Sequence, residues 1–282
     1  MISEKMKQAM SKSSAIRAMF EEGIRLSSIY GRENVYDFSL GNPSACPPES
    51  VKASLISILD ETDPKLLHGY TTNAGYLDVR EFIAGKFEDE FGIKASPGGI
   101  VLTCGAAAAL NIILKTLLNP DDEVVVFAPY FGEYISYTNN YSGVPVVVSA
   151  DTKTFSPDMA DLESKLSERT KAVIINSPNN PSGVIYSEET LKKISEILTL
   201  AEEKFGHPIY VISDEPYRKL VYTGKKVPFI GKYYKNTFFT YSFSKALSLP
   251  GERIGYIVLP DDADFFGEIM PSLCTATGYP AL

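Results

Sequence analysis

Side chains that could do chemistry follow several short apolar runs of this sequence, at the points where those runs end. Lys245 follows one such run, and an amine among apolar residues loses proton affinity and becomes nucleophilic. Because ligands of an open parallel sheet bind at the carboxyl ends of its strands, the groups at five successive run ends predict one binding site. These groups are Gly105-Ala106-Ala107, Phe131, Asn180, Asp214 with Tyr217, and Ser242 with Lys245.

The runs themselves predict the fold. Short stretches of β-branched or aromatic residues alternate with amphipathic, helix-type segments between residues 99 and 259. This alternation predicts an α/β fold with a seven-stranded, mostly parallel sheet that is flanked by helices on both faces. The predicted strands are Gly99–Cys104, Glu123–Ala128, Val144–Ala150, Lys171–Asn176, Ile209–Ser213, Thr237–Ser242 and Gly255–Leu259, and the clearest helices are Ala106–Leu118, Asp158–Ser167 and Glu188–Phe205.

The N-terminal part of the chain differs from this pattern. Apolar residues such as Met19 and Ile24 recur at helical spacing and predict a helix within the first thirty residues. A loop marked by Gly and Pro over residues 37–48 follows it. We therefore expect an N-terminal arm, forming part of a small domain, over residues 1–48 and a large domain over residues 49–282.

Composition excludes several classes of function. The net charge is −8 and Lys and Arg form no run, so neither nucleic acid nor a membrane surface is an expected partner. Three separated cysteines and two histidines do not form a zinc-site or disulfide pattern, so we expect no metal and a cytoplasmic location. No GxGxxG or P-loop motif supports a nucleotide-binding Rossmann enzyme.

Six motifs, in this order along the chain, resemble those of the pyridoxal-phosphate-dependent aminotransferases of fold type I, class I/II. Each motif is weak alone, but the set is specific. The resemblance implies pyridoxal 5′-phosphate as cofactor, and transfer of an amino group between an α-amino acid and a 2-oxo acid. The motifs are Ser39-Leu40-Gly41-Asn42-Pro43, Tyr70 with Gly75, Gly105-Ala106-Ala107, Asn179-Asn180-Pro181-Ser182-Gly183, Asp214-Glu215-Pro216-Tyr217, and Ser242-Phe243-Ser244-Lys245 followed by Gly251-Glu252-Arg253-Ile254-Gly255.

The resemblance implies catalytic roles for Lys245, Asp214 and Tyr217. Lys245 would bind the cofactor aldehyde and carry a proton from the substrate α-carbon, whereas the alternative is a surface lysine. Its apolar neighbours suggest mostly buried surroundings. Asp214 would keep the pyridine nitrogen protonated, unless it only caps a following helix. Tyr217, which would point the same way if the segment turns helically, and Asn180 would hydrogen-bond the 3-hydroxyl oxygen of the ring.

Phosphate binding is assigned by the resemblance to Gly105-Ala106-Ala107, Ser242 and Arg253. The first group stands at the start of a strong predicted helix, where free N–H groups and the helix dipole favour an anion. Alanines there could equally be ordinary helix formers. Arg253 can bind a phosphate with both arms of its guanidinium, and its alternative is a surface salt bridge.

Three further positions match residues that contact the cofactor or substrate in the family. Phe131 would stack on the cofactor ring, with a core aromatic as the alternative. Tyr70 would reach the cofactor phosphate of a neighbouring subunit, which implies a homodimer with shared active sites. Gly41, like Asn180, would lie near the substrate. The family also commonly has cis peptide bonds before the prolines that correspond to Pro129 and Pro181.

Members of the family continue into a C-terminal segment that completes the small domain and carries an arginine for the substrate α-carboxylate. No residue of this sequence can be assigned that role, so we expect these 282 residues to bind cofactor but to transaminate poorly. Two alternatives remain open: a C–S β-lyase of the same fold, and a cofactor-binding fragment without turnover.

Overall fold

A computed structural model describes residues 2, 6–7, 15–38 and 41–277, with the backbone alone for residues 15–17. The chain divides into two compact units, Met1–Cys46 and Pro47–Leu282. Ser39 and Leu40 of the first motif, and much of the chain before residue 15, lie outside the described residues. The assignment of the two parts to an arm and a large domain stays a prediction.

The second unit contains the predicted α/β fold. In the described part of this unit, seven strands form one sheet in the order β1-β7-β6-β5-β4-β2-β3. The pairs β2–β3, β2–β4, β4–β5 and β5–β6 are parallel, whereas β7 pairs antiparallel with both β1 and β6. The strands are β1 (Ile100–Thr103), β2 (Glu123–Phe127), β3 (Val144–Val148), β4 (Thr170–Asn176), β5 (Tyr210–Asp214), β6 (Thr237–Ser242) and β7 (Gly255–Val258).

Helices separate most successive strands along the chain, whereas only a short 3₁₀ turn, Ile230–Lys232, lies between β5 and β6. Ser187 caps the long helix α8 by accepting a hydrogen bond from the Thr190 N–H. The sequence predicted a helix that includes Asp158, but Asp158 is the N-cap residue of α7 and precedes the helix. No helix in the described part of the chain is long and apolar enough to cross a membrane. The helices are α1 (Ala15–Tyr30), α2 (Glu49–Glu61), α3 (Pro64–Leu67), α4 (Leu77–Phe91), α5 (Ala106–Leu117), α6 (Glu133–Asn140), α7 (Met159–Lys165), α8 (Glu188–Phe205), α9 (Phe243–Ala246) and α10 (Phe266–Thr277).

Burial on both faces explains why the strands are almost continuously apolar. Val124 and Val126 of β2 contribute to a core cluster with α5 and α10, while Val125 and Phe127 contribute to a cluster with α8 on the other face. Helix α4 packs on β1, β6 and β7. Each fully buried valine or leucine stabilises the fold by about 1.5–3 kcal/mol relative to an exposed one. The central strands are therefore held from both sides, and their ends are fixed in position.

The first unit contains helix α1, which confirms a helix in this part of the sequence. The helix ends before Gly31, whose φ of 87° is a conformation that favours glycine. Arg25 and Glu22 form an exposed ion pair on its surface, with Nη2 2.6 Å from Oε1. A short 3₁₀ turn, Arg32–Asn34, follows.

Candidate active site

The ends of four strands and the beginning of a fifth lie along one edge of the sheet. In the parallel part, Asn176 of β4 pairs with Asp214 of β5, and Asp214 pairs with Thr240 of β6. Because β7 is antiparallel, its first residue, Gly255, lies at the same edge, paired with Ser242 of β6 and with Thr103 of β1. The sheet therefore brings most of the predicted groups to one side of the molecule.

Asp214 is the last residue of β5, and its carboxylate is buried. The Tyr134 hydroxyl donates to Oδ2 at 2.6 Å, and the Thr240 hydroxyl donates to Oδ1 at 3.2 Å. Burial raises the pKa of Asp214 from 3.8 to about 6, and these two hydrogen bonds oppose the rise. The segment after Asp214 is a turn, so the alternative interpretation of Asp214 as a helix N-cap is wrong.

Asn176 connects the ends of β4 and β5. Its side-chain N–H donates to the backbone carbonyl of Asp214 at 2.8 Å, and its side-chain oxygen accepts from the Asn180 N–H at 2.7 Å. Cis peptide bonds precede Pro129 and Pro181, which confirms that prediction, and a third, unpredicted one precedes Pro178. The loop that carries Asn180 is thus tied to the strand that carries Asp214.

Tyr217 and Asn180 lie together next to Asp214. Burial, followed by the negative charge of Asp214, raises the pKa of Tyr217, while hydrogen bonding with Asn180 opposes the rise. The segment after Asp214 makes turns, with the Leu220 N–H donating to the Tyr217 carbonyl. It does not form the helix that would make Tyr217 point the same way as Asp214. Tyr217 nevertheless remains beside Asp214.

Lys245 lies in the single turn of α9, directly after β6. It is half-buried, so the expectation of mostly buried surroundings is only partly met. Burial, and then the positive charge of Arg253, lower the pKa of the Lys245 amine. A larger fraction of this amine is therefore unprotonated at neutral pH than for an ordinary lysine.

Gly105 and Arg253 meet at the beginning of α5. Gly105 is the N-cap residue with a φ of 84°, and a Cβ there would lie 2.9 Å from Nη2 of Arg253. The Arg253 guanidinium also donates to the carbonyls of Pro250 and Cys104, at 3.0 and 3.3 Å. Free N–H groups, a helix dipole and a guanidinium converge here, which is a suitable arrangement for an anion. Ala106 and Ala107 form the first turn of that helix.

The other predicted site residues occupy less decisive positions. Ser242 is buried, and its hydroxyl caps α9 by accepting from the Ser244 N–H at 3.2 Å. Phe131 is half-buried and packs against the core cluster below it, so both interpretations of this ring remain open. Tyr70 is 92% exposed. Gly41 belongs to the first unit, and its role stays a prediction.

Sequence reasoning missed Tyr134, Thr240 and Asn176, which hold Asp214 in place. Tyr134 follows Phe131 by three residues, the spacing of neighbours on a helix, and the two rings are perpendicular with centroids 5.6 Å apart. That spacing was the available signal for Tyr134. The contact between Tyr134 and Asp214 joins residues far apart in the chain, and no local pattern predicts it.

Residues 33–274 match the profile of the family described as aminotransferase class I and II. The chain is 36% identical over 245 residues to a probable aspartate/prephenate aminotransferase of Aquifex aeolicus, and 35% identical over 229 residues to an aspartate aminotransferase of Thermotoga maritima. These alignments cover 85% and 80% of this chain but only 59% and 58% of the relatives.

A solved structure agrees with the sequence comparisons. The crystal structure of an amino transferase from Eubacterium rectale superposes with a TM-score of 0.92 at 45% identity, covering 98% of this chain and 69% of that one. The chain therefore spans about three fifths of the length of the curated relatives it matches. By profile, sequence and fold together, it belongs to the class I and II aminotransferase family.

Proposed function

We propose that this protein transfers an amino group between an α-amino acid and a 2-oxo acid, using pyridoxal 5′-phosphate. One observation carries the proposal. A buried carboxylate, Asp214, lies at the same sheet edge as Lys245, an amine with a lowered pKa, and Arg253, a guanidinium at a helix N-terminus. This set provides separate places for a cationic ring nitrogen, a carbonyl carbon and a phosphate.

The residues present fit this cofactor. Because Gly105 has no side chain, the Arg253 guanidinium can lie close to the free N–H groups at the start of α5; a Cβ on Gly105 would come 2.9 Å from Nη2 of Arg253. Within the described residues, Asp214 forms no ion pair, so a bound group of opposite charge would offset the cost of burying its carboxylate. A protonated pyridine nitrogen is such a group. Tyr217 and Asn180 are polar neighbours that can hydrogen-bond to the 3-hydroxyl oxygen of the cofactor ring.

When bound, the cofactor supplies an electron sink for the negative charge that develops on the substrate α-carbon. Lys245 would hold the cofactor through its aldehyde, and its amine would move a proton at the substrate α-carbon. Its lowered pKa suits both tasks, because each requires an unprotonated amine. Asp214 would hold the ring nitrogen in its protonated form, and Tyr217 with Asn180 would orient the ring.

The substrates are proposed from the relatives. Two relatives are named aspartate/prephenate and aspartate aminotransferase, so aspartate is the first donor to test. Gly41 and Asn180 are proposed substrate contacts. No feature of the described residues favours the alternative of a C–S β-lyase.

A homodimer is the proposed assembly. None of the residues of α2 is buried within its own unit, and its exposed apolar side chains include Leu55, Ile56, Ile58 and Leu59. Such a surface is typical of an interface between subunits. The exposed Tyr70 is then available to the active site of the partner. The three free cysteines are compatible with the reducing cytoplasm, which is the proposed location.

A visible absorbance titration tests the proposal. Protein loaded with pyridoxal phosphate should change its spectrum when aspartate is added, and 2-oxoglutarate should reverse the change. Borohydride reduction followed by peptide mapping should place the cofactor on Lys245. The variant Lys245→Ala should lose covalent attachment, whereas Lys94→Ala, which alters an exposed lysine, should keep it. Attachment to a different lysine would refute the assignment.

A further inference from the structure

Tyr134 forms the closest hydrogen bond to Asp214 but belongs to none of the motifs discussed above. It lies in the first turn of α6 and is 2% exposed. Its backbone carbonyl accepts from the Thr138 hydroxyl at 2.9 Å, and its ring packs edge-on against Phe131. Burial and the contact with Phe131 limit how far the ring can move. The hydroxyl is therefore presented to Oδ2 of Asp214 in a fixed direction.

The groups around Asp214 leave hydroxyls as the donors to its carboxylate. Tyr137 of α6 lies near enough to interact with the charge of Asp214. Tyr217, in the turn after Asp214, and the acidic Glu215 do so as well. Thr240 donates to Oδ1, while Asn176 reaches only the backbone carbonyl. No ion pair to Asp214 occurs within residues 15–38 and 41–277. Ionisation of Asp214 therefore depends on hydrogen bonds.

Of the two donors, Tyr134 is the stronger. Its oxygen lies 2.6 Å from Oδ2, the distance of a charge-assisted O–H···O⁻ bond, whereas the Thr240 bond is 3.2 Å long. Burial, and then the charge of Asp214, raise the pKa of Tyr134, so the phenol keeps its proton and acts as a donor. The bond thus favours the ionised form of the carboxyl group.

We propose that Tyr134 is a positioning residue whose hydroxyl orients the Asp214 carboxylate and keeps it ionised, so that a proton resides on the ring nitrogen of the cofactor rather than on Asp214. The inference rests on the proposed function for its cofactor part. The competing explanation is that Tyr134 only fills space below Phe131. Tyr134→Phe separates the two, because it removes one hydroxyl and retains the ring.

The first measurement uses the protein without cofactor. Carbon-13 NMR of the aspartate carboxyls, with the Asp214 signal assigned from Asp214→Asn, reports the titration midpoint of this group directly. In Tyr134→Phe the midpoint should move upward by about one to two pH units. Thr240→Val should move it less, because the lost bond is longer. Tyr141→Phe, a half-buried tyrosine at the end of the same helix, should not move it. An unchanged midpoint in Tyr134→Phe would overturn the inference.

The second measurement follows the proton in the loaded protein. Nitrogen-15 NMR of pyridoxal phosphate labelled at the ring nitrogen distinguishes the protonated from the neutral ring. The wild type should give the protonated signal, and Tyr134→Phe should shift it towards the neutral one. A fully protonated signal in the variant would overturn the cofactor part. If the wild type binds no pyridoxal phosphate, the proposed function fails, and the carboxyl titration still decides the role of the Tyr134 hydroxyl.

Discussion

Replacing Asp214 by asparagine should stabilise the cofactor-free protein at neutral pH while impairing its chemistry. Asparagine has nearly the same shape, and its amide oxygen can still accept the hydrogen bond from Tyr134. It cannot ionise, so the cost of burying a charge at this position disappears. The pKa of Asp214 is raised in the folded state, which means that its ionisation opposes folding at neutral pH.

The size of the effect follows from the two pKa values. Between 3.8 in the unfolded chain and about 6 in the fold, the difference corresponds to about 3 kcal/mol at 1.36 kcal/mol per pH unit. The full cost applies above pH 6, where both states are ionised. It falls to about 1 kcal/mol at pH 4.5 and vanishes below the unfolded pKa, where both states are protonated. Asp214→Asn should therefore gain about 3 kcal/mol at pH 7.5 and much less at pH 4.5.

Urea denaturation of the cofactor-free protein at these two pH values measures the difference. Asp161→Asn is a control with the opposite sign, because bonds from Lys165 and Ser149 lower the pKa of Asp161 to about 2. Asp161 stabilises the fold above its unfolded pKa and loses that contribution as pH falls towards 2, so its variant should be less stable at both pH values. An Asp214→Asn variant no more stable than wild type at pH 7.5 would refute the reasoning. With cofactor bound, this variant should remove the α-proton orders of magnitude more slowly.

Three further predictions concern Gly105 at the proposed phosphate site, the ring of Phe131 and the proposed dimer. Gly105→Ala should lower the free energy of unfolding by about 1 kcal/mol or more, because Gly105 has a positive φ and lies close to the Arg253 guanidinium. It should also weaken the binding of pyridoxal phosphate in a fluorescence titration. Gly85→Ala, at a helical glycine with open space around it, should instead raise the free energy of unfolding in urea. Phe131→Leu should weaken cofactor affinity about two- to tenfold by equilibrium dialysis, and unchanged affinity would assign the ring to the core. Leu59→Glu should shift the sedimentation coefficient towards the monomer, whereas Leu200→Glu, equally exposed at 62% on α8, should leave it unchanged.

The strands could be predicted from the sequence because burial on both faces requires continuous apolar runs, as in Val124–Phe127. Their order could not, since pairing depends on contacts between distant segments. The sequence predicted a strand at Gly255–Leu259, but nothing local shows that it runs antiparallel between β1 and β6. Strand ends were uncertain for the same reason. The sequence predicted a strand that ends at Ser213, but β5 continues to Asp214 because Asp214 still pairs with Asn176 of β4 and Thr240 of β6.

The site shows the same division. Motif residues such as Asp214 and Lys245 could be named because each follows an apolar run. Their surroundings could not be predicted, because burial and hydrogen-bond partners come from other elements. Lys245 is only half-buried, and the donor to Asp214 is a tyrosine from a different part of the chain. A tyrosine in an amphipathic helix has many ordinary roles, so only the fold identifies this one.

The position of β7 has a consequence for the order in which the protein can mature during synthesis. β1 lies at the edge of the sheet, and among the described residues its only strand neighbour is β7. Until Gly255–Val258 has left the ribosome, β1 therefore has no strand to pair with, although β2, β4 and β5 can already associate. Gly255 also lies directly against Gly105, since a Cβ added to Gly255 would come within 2.8 Å of the Gly105 backbone. The turn that would hold the phosphate thus acquires its final shape only when a segment from the far end of the sheet-forming sequence is inserted, so a nascent chain ending before β7 should not retain the cofactor.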